Sequence, residues 1–167
     1  MPPATIAPTR TVPPHAADTL RDVATQVFAS MVGQALVTIG PTDAVPQGRT
    51  EIVGTVAFAG SWTGYVAVVT SRAAATAITG ALLGTDTEDL EAQVRDAIGE
   101  VVNMVAGGFR TRMSKPGNTW TVTIPMVATG NGLTIAPPRD AGQVVQRFLF
   151  GPHVLELHLV VTSMAET

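Results

Sequence analysis

Two pairs of strand-like runs, each doubling back at a glycine-containing turn, limit the fold of this chain more than any other feature. TEIVGTVAFAG and GYVAVVTS meet around Gly60-Ser61-Trp62-Thr63-Gly64, and VVQRFLFG and VLELHLVVTS meet around Gly151-Pro152. Runs rich in β-branched residues with such short connections read as antiparallel hairpins, because parallel neighbours need a crossover of about a dozen residues or more. Two further runs, WTVTIPMVATG and LTIAPP, are joined at a tight turn expected at Asn131-Gly132. The strand candidates number six.

Between the strands lie three helical patterns. From Asp18, the residues Leu20, Val23, Val27, Met31 and Ala35 recur at intervals of three and four. Ser71 is placed to cap a short alanine-rich helix ending near Gly84. A longer helix follows, with Asp86 or Thr87 as N-cap and Glu88 and Asp89 near the positive end of its dipole. Its core stripe is Leu90, Val94, Ala97, Ile98, Val101, Met104 and Val105. Strands in hairpins and helices beside one another predict an α+β fold, a mainly antiparallel sheet of six strands with helices packed on it. GPTDAVPQG, residues 40–48, reads as a loop. Residues 1–16, rich in Pro, Ala and Thr and without periodicity, are expected to be a disordered tail before one domain over 17–167.

Composition removes several classes of function. Hydrophobic residues make up 46% and charged residues 14%, so most of the chain should bury a core. A formal charge of −3 supplies no basic field for nucleic acid or an anionic membrane. The absence of cysteine excludes disulfides and thiolate metal sites. The N-terminal stretch, broken by five prolines, lacks the apolar region of a signal peptide, and no run is apolar enough for a membrane span. The chain is expected to be soluble and cytoplasmic. Neither a phosphate-binding loop nor a nucleophile elbow occurs. His158 shares a strand face with Glu156 and reads as a hydrogen-bonded surface pair rather than a metal site. Trp62 and Trp120 have no cationic neighbours and read as packing or dimer contacts rather than a base-stacking platform.

One polar stripe stands out. In DAIGEVVNMVAGG, Asp96, Glu100, Asn103 and Gly107 recur at four, three and four, which at about 100° per residue centres them roughly 140° from the core stripe. Exposed Glu and Asn are ordinarily just solvated. Asparagine is nevertheless a mediocre residue mid-helix, and Gly99, Ala106 and Gly107 around it add a further propensity penalty. A helix that gives up stability at several neighbouring positions suggests a ridge cleared for another protein, with Gly99 and Gly107 leaving room and Asp96 helping to dock. Asp22, Gln26, Ala29 and Gly33 in the first helix repeat the same spacing, with Val27 and Met31 matching Val101 and Val105 on the buried side. Either the chain is an internal duplication that kept the Glu/Asn pair in one half, or two amphipathic helices coincide.

Asp96-Ala97-Ile98-Gly99-Glu100-Val101-Val102-Asn103, followed by Pro125 in a later strand, resembles the signature of the CheC/CheX/FliY chemotaxis phosphatases. Pro125 comes one residue earlier than the usual spacing. The likeness extends over roughly residues 17 to 165, including the order of helices and strands. It implies a CheC-like pseudo-duplication, and with Gln26 and Ala29 in the first half it implies a single site of the CheX type, in a homodimer. It further implies a protein phosphatase acting on the aspartyl phosphate of a CheY-like receiver domain. In that scheme Asn103 orients the attacking water and Glu100 pairs with the receiver's lysine, while Asp96 serves the local helix or docking. Magnesium is expected on the partner receiver, with no cofactor or metal bound by this chain. The alternatives are a non-catalytic module, either binding receivers or serving a flagellar assembly through the same helix, and a purely structural dimer.

Overall fold

The computed structural model describes residues 12–40, 43, 48–84 and 91–164. Helix α1 spans Pro14–Val27 and runs on into a π-helical turn, Phe28–Val32, that ends at Gly33 in the left-handed conformation (φ 76°). Strands β1 (Val37–Ile39), β2 (Ile52–Ala59) and β3 (Trp62–Thr70) follow, then α2 (Arg72–Leu83) and α3 (Glu91–Met113). The chain continues through β4 (Thr121–Val122), β5 (Met126–Thr129), β6 (Gly142–Phe150) and β7 (His153–Met164). All strand pairings are antiparallel, in the order β1-β6-β7-β3-β2-β4, with β5 also on β2.

That order is the same from either end. The hairpins β2–β3 and β6–β7 meet at β3 and β7 in the middle of the sheet. The short strand of each half then crosses to pair with the other half's hairpin, β1 with β6 and β4/β5 with β2. A topology with this two-fold pattern, and with α1 and α3 leading the two halves, is that of a duplicated unit.

The core lies between the helices and one face of the sheet. Leu20, Phe28, Ile52, Val56, Ile98, Val102, Phe109, Leu155, Leu157 and Leu159 are each buried to within 1%. α1 and α3 approach closely at Gly108, where an added Cβ would fall 2.7 Å from Val23 Cγ1. The aromatic residues close one end of this layer. Trp62 and Trp120 are buried edge-to-face at 5.7 Å, with Phe58 5.4 Å from Trp120, so both tryptophans are packing residues. On the opposite sheet face a smaller cluster, Val53, Ala67 and Val69, is covered by Tyr65, Leu133 and Ile135.

Several expectations need correction. α1 begins at Pro14, with proline favoured in the first turn, so residues 14–16 belong to the helix and Ala16 is fully buried. The π-helical turn adds a residue to its turn and resets the phase. Phe28 and Val32 therefore face the core, while Met31 is 57% exposed and Ala35 lies beyond the helix. β1 was not expected. WTVTIPMVATG is two strands, not one, and LTIAPP is not a strand but a cover for the second cluster. Ser71 does cap α2, its Oγ accepting from the Ala74 amide at 3.1 Å, and Gly84 ends the helix at φ 67°. The expected caps Asp86 and Thr87, with Glu88, Asp89 and Leu90, lie outside the described residues, as does most of the 40–48 loop and all of residues 1–11.

Candidate functional site

α3 is fastened to the molecule along one side. Val94, Ala97, Ile98, Val101, Val105 and Phe109 are all buried, at no more than 4% exposure, and Met104 is half-buried. The opposite side carries Asp96, Glu100 and Asn103, all exposed. Asp96 and Glu100 are about 6 Å apart along the helix axis, and Glu100 and Asn103 about 4.5 Å. None of the three has a hydrogen-bond or ion-pair partner among the described residues. The carboxylate and the carboxamide thus stand next to each other on a helix whose orientation is set by its buried side, with their polar atoms unclaimed.

The small residues around the pair divide into two groups. Gly107 has nothing within 4 Å of the place a Cβ would occupy. Gly99 and Ala106 are buried and do not belong to the outer surface. At Gly99 the space is filled by the chain itself: an added Cβ would lie 3.6 Å from Val127 Cγ2 and 3.8 Å from Pro125 Cγ. Gly99 therefore lets β5 and the residues before it close against the ridge, rather than clearing room for a partner.

Pro125 reaches that place through a β-bulge. Phe58 pairs with Val122 but Thr55 pairs with Met126, so four steps along the outer strand match three along β2. The Thr123 amide donates to the Ala57 carbonyl at 3.0 Å, and Thr123 Oγ1 accepts from the Ala57 amide at 3.1 Å. The extra residue falls at Ile124-Pro125, where proline has no amide to offer the ladder. A shallow groove of about 450 Å³ runs between the ridge and the bulge, lined by Ala92, Arg95, Asp96, Gly99, Glu100, Pro125 and Val127. The sequence identified Asp96, Glu100 and Pro125 along this groove but missed Ala92 and Arg95, which lie one turn before Asp96 and Gly99 on the same helix, and Val127, since nothing local tells which part of β5 lies beside α3.

Elsewhere, a more enclosed depression of about 180 Å³ lies among Arg49, Ser71, Arg147, His153 and Glu156, and shares no residue with the ridge. Enclosure suits a small ligand, whereas projecting polar groups suit a protein surface. The expected His158–Glu156 pair is present at 3.1 Å, within a chain that continues to Gln143 (3.1 Å from His158 Nδ1) and Arg147 (2.8 Å from Glu156 Oε1). The hydrogen bond with His158, followed by that from Arg147, holds the Glu156 carboxyl down at about 2 despite the opposing effect of burial. Among the described residues no cluster of three or more His, Cys, Asp or Glu could hold a metal ion, and no helix is long and apolar enough to cross a membrane.

Comparison with known proteins gives the family and the fold. Residues 52–149, which include the ridge and Pro125, match the family model of the chemotaxis phosphatase CheX. The structure of the chemotaxis protein CheX from Desulfovibrio desulfuricans is 25% identical and superposes with a TM-score of 0.76 over 88% of this chain and 99% of that one. CheX from Borrelia burgdorferi, solved in complex with CheY, BeF3 and Mg2+, is 19% identical, with a TM-score of 0.73 over 87% of this chain and 97% of that one. Thermotoga maritima FliY is 17% identical, with a TM-score of 0.65 over 93% and 94% of the two chains. No curated protein matches by sequence. With the family model matching more than half of its length, around a helix that presents Glu100 and Asn103 together, the chain belongs to the chemotaxis phosphatase CheX family.

Proposed function

We propose that this protein accelerates hydrolysis of the aspartyl phosphate on a CheY-like receiver domain. Water oxygen attacks phosphorus in line, the bond from phosphorus to the aspartyl oxygen breaks, and the carboxylate leaves with its electron pair. The water proton passes to the phosphate released or to solvent. A loose transition state of this kind asks for positioning and charge stabilisation more than for a strong base. The Asn103 carboxamide, entering the receiver's site, holds the water by its oxygen and nitrogen. Glu100, one turn away, pairs with the receiver's lysine and sets the register of docking. Magnesium belongs to the receiver in this scheme. Asp96 lies next along the ridge and serves docking or the local helix.

The observation that carries the reading is the Glu100–Asn103 pair, without a side-chain partner among the described residues, on the outer side of a helix otherwise fixed by its core, within the segment that matches the family. The solved Borrelia relative, captured with CheY and BeF3, supports a receiver as the partner class. The family likeness also supports a homodimer with one ridge per subunit, which sedimentation equilibrium measures directly.

The test follows decay of a ³²P-labelled CheY-like receiver with and without the protein. Asn103→Ala is expected to lower the accelerated rate about 100-fold, the scale of losing the alignment of a reacting group, while the complex still forms. An Asn103→Ala variant as fast as wild type overturns the assigned role. Wild-type protein that binds the receiver without hastening decay identifies a non-catalytic module instead.

A further inference from the structure

The ridge is polar from Asp96 to Asn103, and exposed ion pairs and hydrogen bonds contribute little net affinity because water competes for them. Protein interfaces take most of their affinity from a few buried apolar or aromatic anchors, with polar groups fixing orientation around them. Beside the ridge the structure offers such anchors. Ile124 is 82% exposed and Met126 71% exposed, more than any other large hydrophobic residue among those described. They flank Pro125, whose ring lies against Gly99, the residue before Glu100.

Resting on the receiver-phosphatase reading, we propose that the β4–β5 bulge is the apolar half of the surface that seats the phosphorylated receiver, with Ile124 as its main anchor and Met126 at its flank. Three features join bulge and ridge. The groove has Glu100 and Asp96 on one wall and Pro125 and Val127 on the other, so a partner over Glu100 fills it and reaches the bulge. Neighbouring Cα atoms are about 3.8 Å apart, which places Ile124 and Met126 within one residue of that wall. An interface of about 800 Å² per partner has a radius of about 16 Å, several times the step of one residue that separates Ile124 from the groove wall.

The bulge also accounts for the way these side chains are presented. Met126 pairs opposite Thr55, and alternation puts it on the sheet face away from α3, whereas Val127 and Pro125 face the helix. Ile124 sits in the irregular step at the sheet edge, outside the regular pairing on either side of it, and is the most exposed large hydrophobic residue among those described. A receiver gripping Ile124 therefore overhangs the edge as well as the helix. The same kink and proline discourage pairing of this edge with another strand, so the apolar side chains are displayed without an open strand edge beside them.

Binding of a BeF3-activated CheY-like receiver is the readout. The Ile124→Ser/Met126→Ser variant is expected to raise Kd at least about tenfold, while single-turnover dephosphorylation at saturating protein stays within about twofold of wild type. Asn103→Ala should do the reverse. Because the chain has no cysteine, Ile124→Cys also gives a unique site for a benzophenone label. It should crosslink to the activated receiver, and Val145→Cys on the open sheet face should not. An unchanged Kd in the serine variant, or equal crosslinking from both cysteines, overturns the anchor while leaving the phosphatase reading intact. Failure of the wild-type protein to bind or dephosphorylate receivers removes that reading itself.

Discussion

Gly107→Ala and Gly108→Ala, changes at neighbouring residues of one helix, should act in opposite directions. At Gly107 an added methyl meets no atom within 4 Å, so the protein accommodates it without movement. Alanine in a helix interior is favoured over glycine by about 0.8–1 kcal/mol, and none of that gain is lost to a clash. For a chain of 167 residues this corresponds to a rise in Tm of about 3 °C. Gly107 also stands one turn beyond Asn103, on the side where the receiver is proposed to approach. A methyl there holds the partner away from the ridge, and a misplacement of about 1 Å can cost about 100-fold in rate. The expected Gly107→Ala protein is thus more stable and at least about tenfold slower with a phosphorylated receiver. At Gly108 the methyl would fall 2.7 Å from Val23 Cγ1, so α1 and α3 must separate or Val23 must leave its rotamer. Overpacking of that kind costs about 1–3 kcal/mol, more than alanine's helix propensity returns. Thermal melts and receiver decay on the two variants decide the matter. A stabilised Gly107→Ala with full activity would refute the clearance assigned to Gly107, and a destabilised one would refute the packing argument.

Three shorter predictions accompany it. Glu100→Lys should abolish receiver binding by placing like charge against a lysine, whereas Glu100→Gln should weaken binding and flatten its salt dependence; an unaltered salt dependence in Glu100→Gln argues against the pairing. Glu156 has a folded-state pKa of about 2 against an ordinary 4.5, so its contribution is complete above about 4.5 and is lost as pH falls towards 2. Melts of Glu156→Gln should accordingly depend less on pH than wild type across that window, and identical curves would contradict the network. Ser71→Ala removes the cap of α2 and should cost about 1 kcal/mol, with receiver dephosphorylation unchanged, as α2 lies outside the proposed contact.

The parts of this structure legible in the sequence are those in which local chemistry and tertiary environment agree. α3 is long, and its buried residues follow the helical period closely enough to orient Glu100 and Asn103 before any coordinates are considered. Both hairpins have alternating or continuous apolar runs and short turns, and Ser71 and Gly84 bracket α2 as their types suggest. The failures occur where a distant partner decides. The break between β4 and β5 rests on Thr123 bonding to Ala57, a residue far away in the chain. LTIAPP is apolar because it covers Val53, Ala67 and Val69, and its composition alone resembles that of a strand. Gly99 looked like outer-surface clearance because helical position cannot reveal that Pro125 and Val127 occupy the space beside it.

The two halves differ in a way that bears on how the ridge is held. By spacing, Gln26 is the counterpart of Glu100 and Ala29 that of Asn103, so the first half has an amide where the acid stands and a methyl where the Asn103 amide stands. Its helix also enters the π-helical turn at Phe28, which shifts Ala29 out of the α-helical line with Gln26. The Gln26 side chain accepts a hydrogen bond from Arg112 in the last turn of α3. A side chain occupied in this way does not project freely as Glu100 does. Arg112 lies more than two turns beyond Asn103, and its bond to α1, with the close contact of Gly108 on Val23, ties the far end of α3 to the first half. Pro125 and Val127 brace the near end at Gly99. The ridge is therefore supported on both sides of Glu100 and Asn103. A positioning group gains from such rigidity, because its effect on a reaction depends on how little it moves when the partner arrives.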